Sequence, residues 1–109
     1  MALGPEILKK MKRIEIVTDE NCLERLIELL RHANVRGYTV IKGAGGLGST
    51  GERDPYAFAL RQSNSFLVLT CEEAQAEKII LTIQPELKNF GGMCTVSDCE
   101  WVLGPQVSY

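Results

Sequence analysis

The segment Gly43-Ala44-Gly45-Gly46-Leu47-Gly48 carries a literal G-x-G-x-x-G. Glycines leave backbone N–H groups uncovered, and a row of uncovered N–H groups is a phosphate-binding surface. A dinucleotide fingerprint must also open a helix whose N-terminus receives the pyrophosphate. Here Ser49-Thr50-Gly51-Glu52-Arg53-Asp54-Pro55 follows instead, which excludes that fingerprint, and no Lys follows Gly48, which excludes a Walker A loop. Two readings remain: a glycine-rich backbone at a strand end that approaches phosphate, or a flexible loop without a ligand. Phe90-Gly91-Gly92-Met93 is a second place where a backbone can come close to another group, although taken alone it reads first as a tight turn.

Catalytic chemistry finds little support. The single histidine, His32, falls on a helical pattern and reads as a solvated helix-end residue, so no Ser, His and Asp arrangement can be built around it. Arg61 and Asn64 are the one pair that an acylphosphatase-like hydrolase could use, since that chemistry needs an Arg and an Asn converging on phosphate. Cys22, Cys71, Cys94 and Cys99 lack C-x-x-C spacing, so they read as four reduced thiols and imply no metal. Tyr56 and Phe58 are read as anchors for a partner or as residues packing on their own subunit, and Trp101 with the tail to Tyr109 as packing.

These residues have to be placed by a small scaffold. A chain of 109 residues is one domain, and its composition, 45% hydrophobic and 24% charged, is that of a globular one. A net charge of −2 and a pI near 5.4 argue against a nucleic-acid binder. No apolar run reaches the roughly 18 residues of a membrane span, so the expected location is the cytoplasm. Residues 1–10, with Gly4 and Pro5, read as a loose leader, and residues 11–109 as the domain.

Lys12–Thr18 is β-branched and short and predicts a buried strand. Thr18 or Asp19 then caps a helix with Leu23, Leu26, Ile27 and Leu30 on its apolar face. That helix runs to about Ala33, with Asn34 and Gly37 bracketing its exit before a strand over Tyr38–Lys42. Residues 43–63 form a long exposed loop, of a length that compact domains rarely keep without a function. Phe66–Leu69 is a third strand, and Thr70 with Glu73 has the form of a capping box opening a helix that Pro85 ends or turns. Met93–Val102 is the fourth strand.

Ile16-Val17-Thr18-Asp19-Glu20 is echoed by Val68-Leu69-Thr70-Cys71-Glu72, each preceding a helix. Two such halves give an α+β, ferredoxin-like βαββαβ plan with an antiparallel sheet covered on one face by both helices. A trimer bringing three sheets together would cover the other face and leave clefts between subunits for ligands.

At Arg36-Gly37-Tyr38-Thr39-Val40, leading into a glycine-rich loop, the chain resembles the PII and PII-like signalling proteins, over roughly residues 11–103. The order of elements agrees as well, with Gly91-Gly92 where that family has its B-loop. The resemblance implies a homotrimer with an adenine nucleotide, AMP, ADP or ATP, in each cleft between subunits, and a T-loop at about 43–63 that controls a target transporter or enzyme. It implies that Thr39 bonds the base or ribose, with Val17 and Tyr38 on the pocket wall beside Gly37. Gly45, Gly46, Gly48, Gly91 and Gly92 then offer backbone to phosphates, with Met93 next to them. Ser49 and Met93 stand where the standard nitrogen regulators carry Gln and basic groups, which favours mono- or diphosphate over triphosphate. The branch tied to inorganic carbon is the nearer match and implies AMP, ADP, cyclic AMP or bicarbonate as effectors. Ser49, Arg53, Tyr56, Phe58 and Arg61 would then form the effector surface, Arg53 and Arg61 being the candidates for an anion. An acylphosphatase-like hydrolase and a trimeric metal-tolerance protein are the alternatives on the same plan, the latter disfavoured by the lack of a Cys or His cluster.

Overall fold

The computed structural model describes residues 2–48, 51–53 and 63–104. In chain order its elements are β1 (Leu8–Asp19), α1 (Leu23–His32), β2 (Thr39–Ala44), β3 (Gly46–Gly48), β4 (Gly51–Arg53), β5 (Asn64–Cys71), α2 (Glu73–Ile83), α3 (Leu87–Phe90) and β6 (Met93–Val102). β2, β5, β1 and β6 form one sheet in that order, every neighbouring pair antiparallel. This is the expected α+β ferredoxin-like βαββαβ plan with one addition. β3 and β4 pair with each other as a small hairpin inside the segment read as a loop.

Strand alternation divides the sheet into two faces. Ile14, Ile16 and Thr18 of β1 and Ser65, Leu67, Leu69 and Cys71 of β5 point under the helices and are buried. α1 contributes Leu23, Leu26, Leu29 and Leu30, and α2 contributes Ala76, Ile79 and Ile83, to the same core. Each fully buried Leu or Ile there is worth about 1.5–3 kcal/mol. On the helix-free face, Ile41, Phe66, Val17 and Met93 stand side by side across all four strands. Ile41 at one end is 56% exposed and Met93 at the other 55%. The neighbouring rungs are mostly polar: Thr39, Val68, Glu15 and Thr95, then Thr70, Arg13 and Ser97.

The helix ends are well specified. Asp19 accepts from the Asn21 N–H at 2.9 Å and opens a 3₁₀ turn, Glu20–Cys22, ahead of α1. Asn34, at φ 64°, closes α1 in a Schellman arrangement, with the Val35 N–H donating to Leu30 O and the Asn34 N–H to Arg31 O. Pro85 lies in a 3₁₀ turn, Gln84–Glu86, immediately after α2.

Three expectations are corrected. Thr70 does not cap α2: it remains in β5 opposite Arg13, and α2 begins after Glu72 without a side-chain cap. β1 starts at Leu8 rather than Lys12, because Lys10 pairs with Glu100, Lys9 with Trp101 and Leu8 with Val102. Residues 8–10 therefore belong to the sheet. β2 starts one residue later than expected and runs to Ala44, so Gly43, at φ 75°, falls within the strand where its register with β5 shifts.

Candidate ligand-binding site

β1 and β6 outrun β5. The β1–β5 ladder ends at Lys12 opposite Cys71, whereas the β1–β6 ladder continues through Met11, Lys10, Lys9 and Leu8. Below this overhang, at the C-terminal end of β5, lies a cavity of about 570 Å³. The turn after α1 supplies Asn34, Arg36, Gly37 and Tyr38, and β2 supplies Thr39. Val68, Thr70 and Arg13 lie along one wall, with Trp101 from the overhang and Gln75 from α2.

Gly37 has open space where a Cβ would stand, and its φ is not in the left-handed region. Among the described residues, neither packing nor backbone conformation calls for a glycine at that position. Arg13 donates to Glu15 at 2.7 Å on the helix-free face, both side chains being partly exposed. Arg36 is exposed at the cavity rim.

The second glycine pair lies elsewhere. Gly91, at φ 65°, ends α3 in the left-handed region, and Gly92 presses on the end of β1. The hydroxyl of Thr18, fully buried, donates to Phe90 O at 3.3 Å and ties this turn to β1. Two residues on, Glu20 holds Ser63, its N–H donating to Ser63 O at 3.0 Å while the Ser63 hydroxyl donates to its carboxylate. The end of β1 and the turn that follows it thus hold both the glycine turn and the point where the chain returns from segment 43–63.

Of the residues singled out from sequence, Gly37, Tyr38 and Thr39 come together in the cavity. Val17, Gly91, Gly92 and Met93 gather at the junction of β1 and β6, Val17 being opposite Met93. Gly45 links β2 to the hairpin, which contains Gly46, Gly48 and Arg53. A Cβ at Gly46 would also meet open space. Ser49, Tyr56, Phe58 and Arg61 lie outside the described residues. The two groups do not meet in one chain. β2 and β6 are the opposite outer strands of the sheet, roughly 14 Å apart at about 4.8 Å per strand.

Sequence reading missed Arg13, Thr70 and Trp101 as cavity residues. The alternation of β1 and β5 puts Arg13 and Thr70 out of phase with Ile14 and Leu69, which is the signal that could have found them. Asn64 sits at the start of β5, between Asp19 and Ala44, with its Oδ1 buried and without a hydrogen-bond partner among the described residues. The four cysteines are free thiols, and burial pushes Cys22, Cys71 and Cys94 above the usual range, which keeps them protonated and poorly nucleophilic near neutrality. His32 is exposed on the last turn of α1, 4.0 Å from Glu28. Among the described residues no three His, Cys, Asp or Glu side chains converge as a metal site, and no helix is long and apolar enough to cross a membrane.

Residues 11–103 match the family model of the nitrogen regulatory protein P-II. No curated protein sequence matches the chain significantly. Among solved structures the chain resembles CPII, a nitrogen regulatory PII-like protein from Thiomonas intermedia solved with ADP, AMP and bicarbonate. The identity is 24%, over 86% of this chain and 90% of that one, with a TM-score of 0.77. A PII-like signalling protein from Thermus thermophilus is 23% identical over 88% and 93% of the two chains, TM-score 0.71. GlnK from B. subtilis is 17% identical over 84% and 86%, TM-score 0.59.

Proposed function

We propose that this chain, which belongs to the nitrogen regulatory protein P-II family, senses adenine nucleotides in clefts between copies of itself and controls a partner protein through residues 43–63. The observation that carries this reading is the separation of Gly37-Tyr38-Thr39 from Gly91-Gly92-Met93 on opposite outer strands. One copy offers polar and aromatic side chains to a base, while the glycine turn of a neighbouring copy offers backbone N–H groups to phosphate. A homotrimer closes this arrangement, each β2 edge meeting the next copy's β6 edge, and it covers the apolar rung Ile41, Phe66, Val17 and Met93. Gly37 fits the same reading, because a close approach from outside the chain is a reason for a glycine that the described residues do not supply.

The effectors proposed are ADP and AMP, with ATP held less tightly for want of basic groups around Ser49 and Met93, and bicarbonate as a further anion. ADP, AMP and bicarbonate are the ligands of the Thiomonas protein. The protein acts by binding, without catalysis, in the cytoplasm. Ligand binding changes the surface that segment 43–63, with Arg53 and the residues Ser49, Tyr56, Phe58 and Arg61, offers to a target transporter or enzyme. Calorimetry of the assembled protein with AMP, ADP and ATP, with and without bicarbonate, tests this. Saturable binding at one site per chain is expected, and absence of binding by all three nucleotides would remove the reading.

A further inference from the structure

Trp101 is the only tryptophan of the chain, and its position is unusual for one. It lies opposite Lys9, beyond the end of β5, and is 48% exposed instead of packed in the core. Along β6 it follows Ser97 and Cys99 at the two-residue period of one face, and Ser97 pairs with Arg13. Trp101 and Arg13 therefore share the helix-free side. Two-stranded ribbons twist more strongly than wide sheets, which swings the overhang across the end of β5. The indole thus lines the same cavity as Thr70 and Tyr38.

The cavity chemistry is specific. Two half-exposed aromatic residues, Tyr38 and Trp101, reach it from opposite edges of the sheet. Thr39, Thr70 and Gln75 offer hydroxyl and amide groups, and Arg13 and Arg36 bring positive charge. An exposed indole at the wall of such a cavity is an open π-face, which a flat heteroaromatic ring covers by stacking. A purine has the polar edge that hydroxyl and amide groups read.

We propose that Trp101 is the stacking wall for the adenine ring of the bound nucleotide. This rests on the reading of the Gly37–Thr39 cavity as the base half of the cleft, and assigns to it a specificity-determining residue outside the glycine motifs. Phosphate binding is left to the glycine turn of the neighbouring copy, so Trp101 selects for the base and not for the phosphates.

The test titrates ADP and pyrophosphate into the full-length wild type, Trp101→Ala, Trp101→Leu and Trp101→Phe, with calorimetry, tryptophan emission and light scattering. Wild-type emission is expected to change on ADP addition and not on pyrophosphate addition. Trp101→Ala and Trp101→Leu should weaken ADP about tenfold or more, leave pyrophosphate unchanged and keep the wild-type mass, while Trp101→Phe restores most of the affinity. Unchanged ADP affinity in Trp101→Ala and Trp101→Leu, or wild-type emission that stays constant while calorimetry records ADP binding, would overturn the proposal and leave the nucleotide reading intact. So would loss of the wild-type mass in both variants, which would make Trp101 an assembly residue. A wild type that binds no ADP overturns both.

Discussion

Gly92 and Val17 are in contact so close that no side chain fits between them. A Cβ built on Gly92 would fall inside the Val17 carbonyl group, 2.5 Å from its carbon, and 3.0 Å from Thr18 Cα. The glycine turn can lie against the end of β1 only because residue 92 lacks a side chain, and Thr18 secures it there through Phe90 O.

Gly92→Ala is therefore expected to force the β1–β6 junction apart. Since the obstruction is backbone, which yields less than a side-chain tip, the loss should be about 1–3 kcal/mol, a fall in Tm on the order of 4–8 °C per kcal/mol for a chain of this size. Thermal unfolding followed by circular dichroism measures it. A Tm unchanged from wild type would mean that the turn does not press on Val17.

Gly37→Ala should behave in the opposite way. A methyl group there meets open space and an ordinary φ, so stability should hold or rise by up to about 1 kcal/mol, the usual gain from restricting the unfolded chain. Nucleotide affinity should fall, because the proposed ligand approaches that backbone. Measured together, calorimetry and thermal unfolding separate this outcome from a folding defect, and a variant that binds as tightly as wild type would leave Gly37 without a role.

Ile41 tests the covering of the helix-free face. It is more than half exposed on the outer strand β2, so Ile41→Glu should cost the single chain no more than about 0.5 kcal/mol. In the assembly it would place an unpaired charge beside Phe66, Val17 and Met93 of the apolar rung. Light scattering is expected to give the trimer mass for wild type and the mass of one chain for Ile41→Glu. A variant that keeps the wild-type mass would exclude this rung from the interface.

The sequence patterns that carried through were those set by local periodicity. Leu23, Leu26 and Leu30 define the buried side of α1, and Asn34 ends it because a short polar side chain tolerates φ 64°. What escaped depends on partners distant in the chain. Thr70 and Glu73 have the spacing of a capping box, but a ladder partner at Arg13 keeps Thr70 in the strand. Lys9 and Lys10 look like a loose basic leader until Trp101 and Glu100 stand opposite them. Trp101 follows Ser97 and Cys99 on one face of β6, but only the pairing with Lys9 beyond the end of β5 places its ring at the cavity. At Gly92 the sequence displays a glycine, whereas the reason for it is the carbonyl of Val17, far earlier in the chain.

The charges on the overhang should give the protein a defined pH response. Lys12 bonds Asp98 and Lys9 bonds Glu72, and these contacts hold Asp98 below its ordinary 3.8 and Glu72 below its ordinary 4.5. The hydrogen bond to Asp98 raises Lys12 above its ordinary 10.5. A carboxylate with a depressed folded value adds stability above its unfolded value and loses it as the pH falls through the folded one; a raised lysine adds stability below its unfolded value and loses it as the pH rises through the folded one. The Lys12–Asp98 contribution is accordingly constant from about pH 5 to 9 and fades on both sides. Asp98→Asn should lower Tm by the same small amount across that range, with the gap to wild type closing below pH 3.8 and again above pH 10.5. Because the pair is solvent-exposed, salt on the order of 1 M should shrink the gap at neutral pH. Parallel thermal melts of the two proteins across pH and salt decide this, and a gap that persists undiminished well below pH 3.8 would mean that Asp98 acts through something other than its charge.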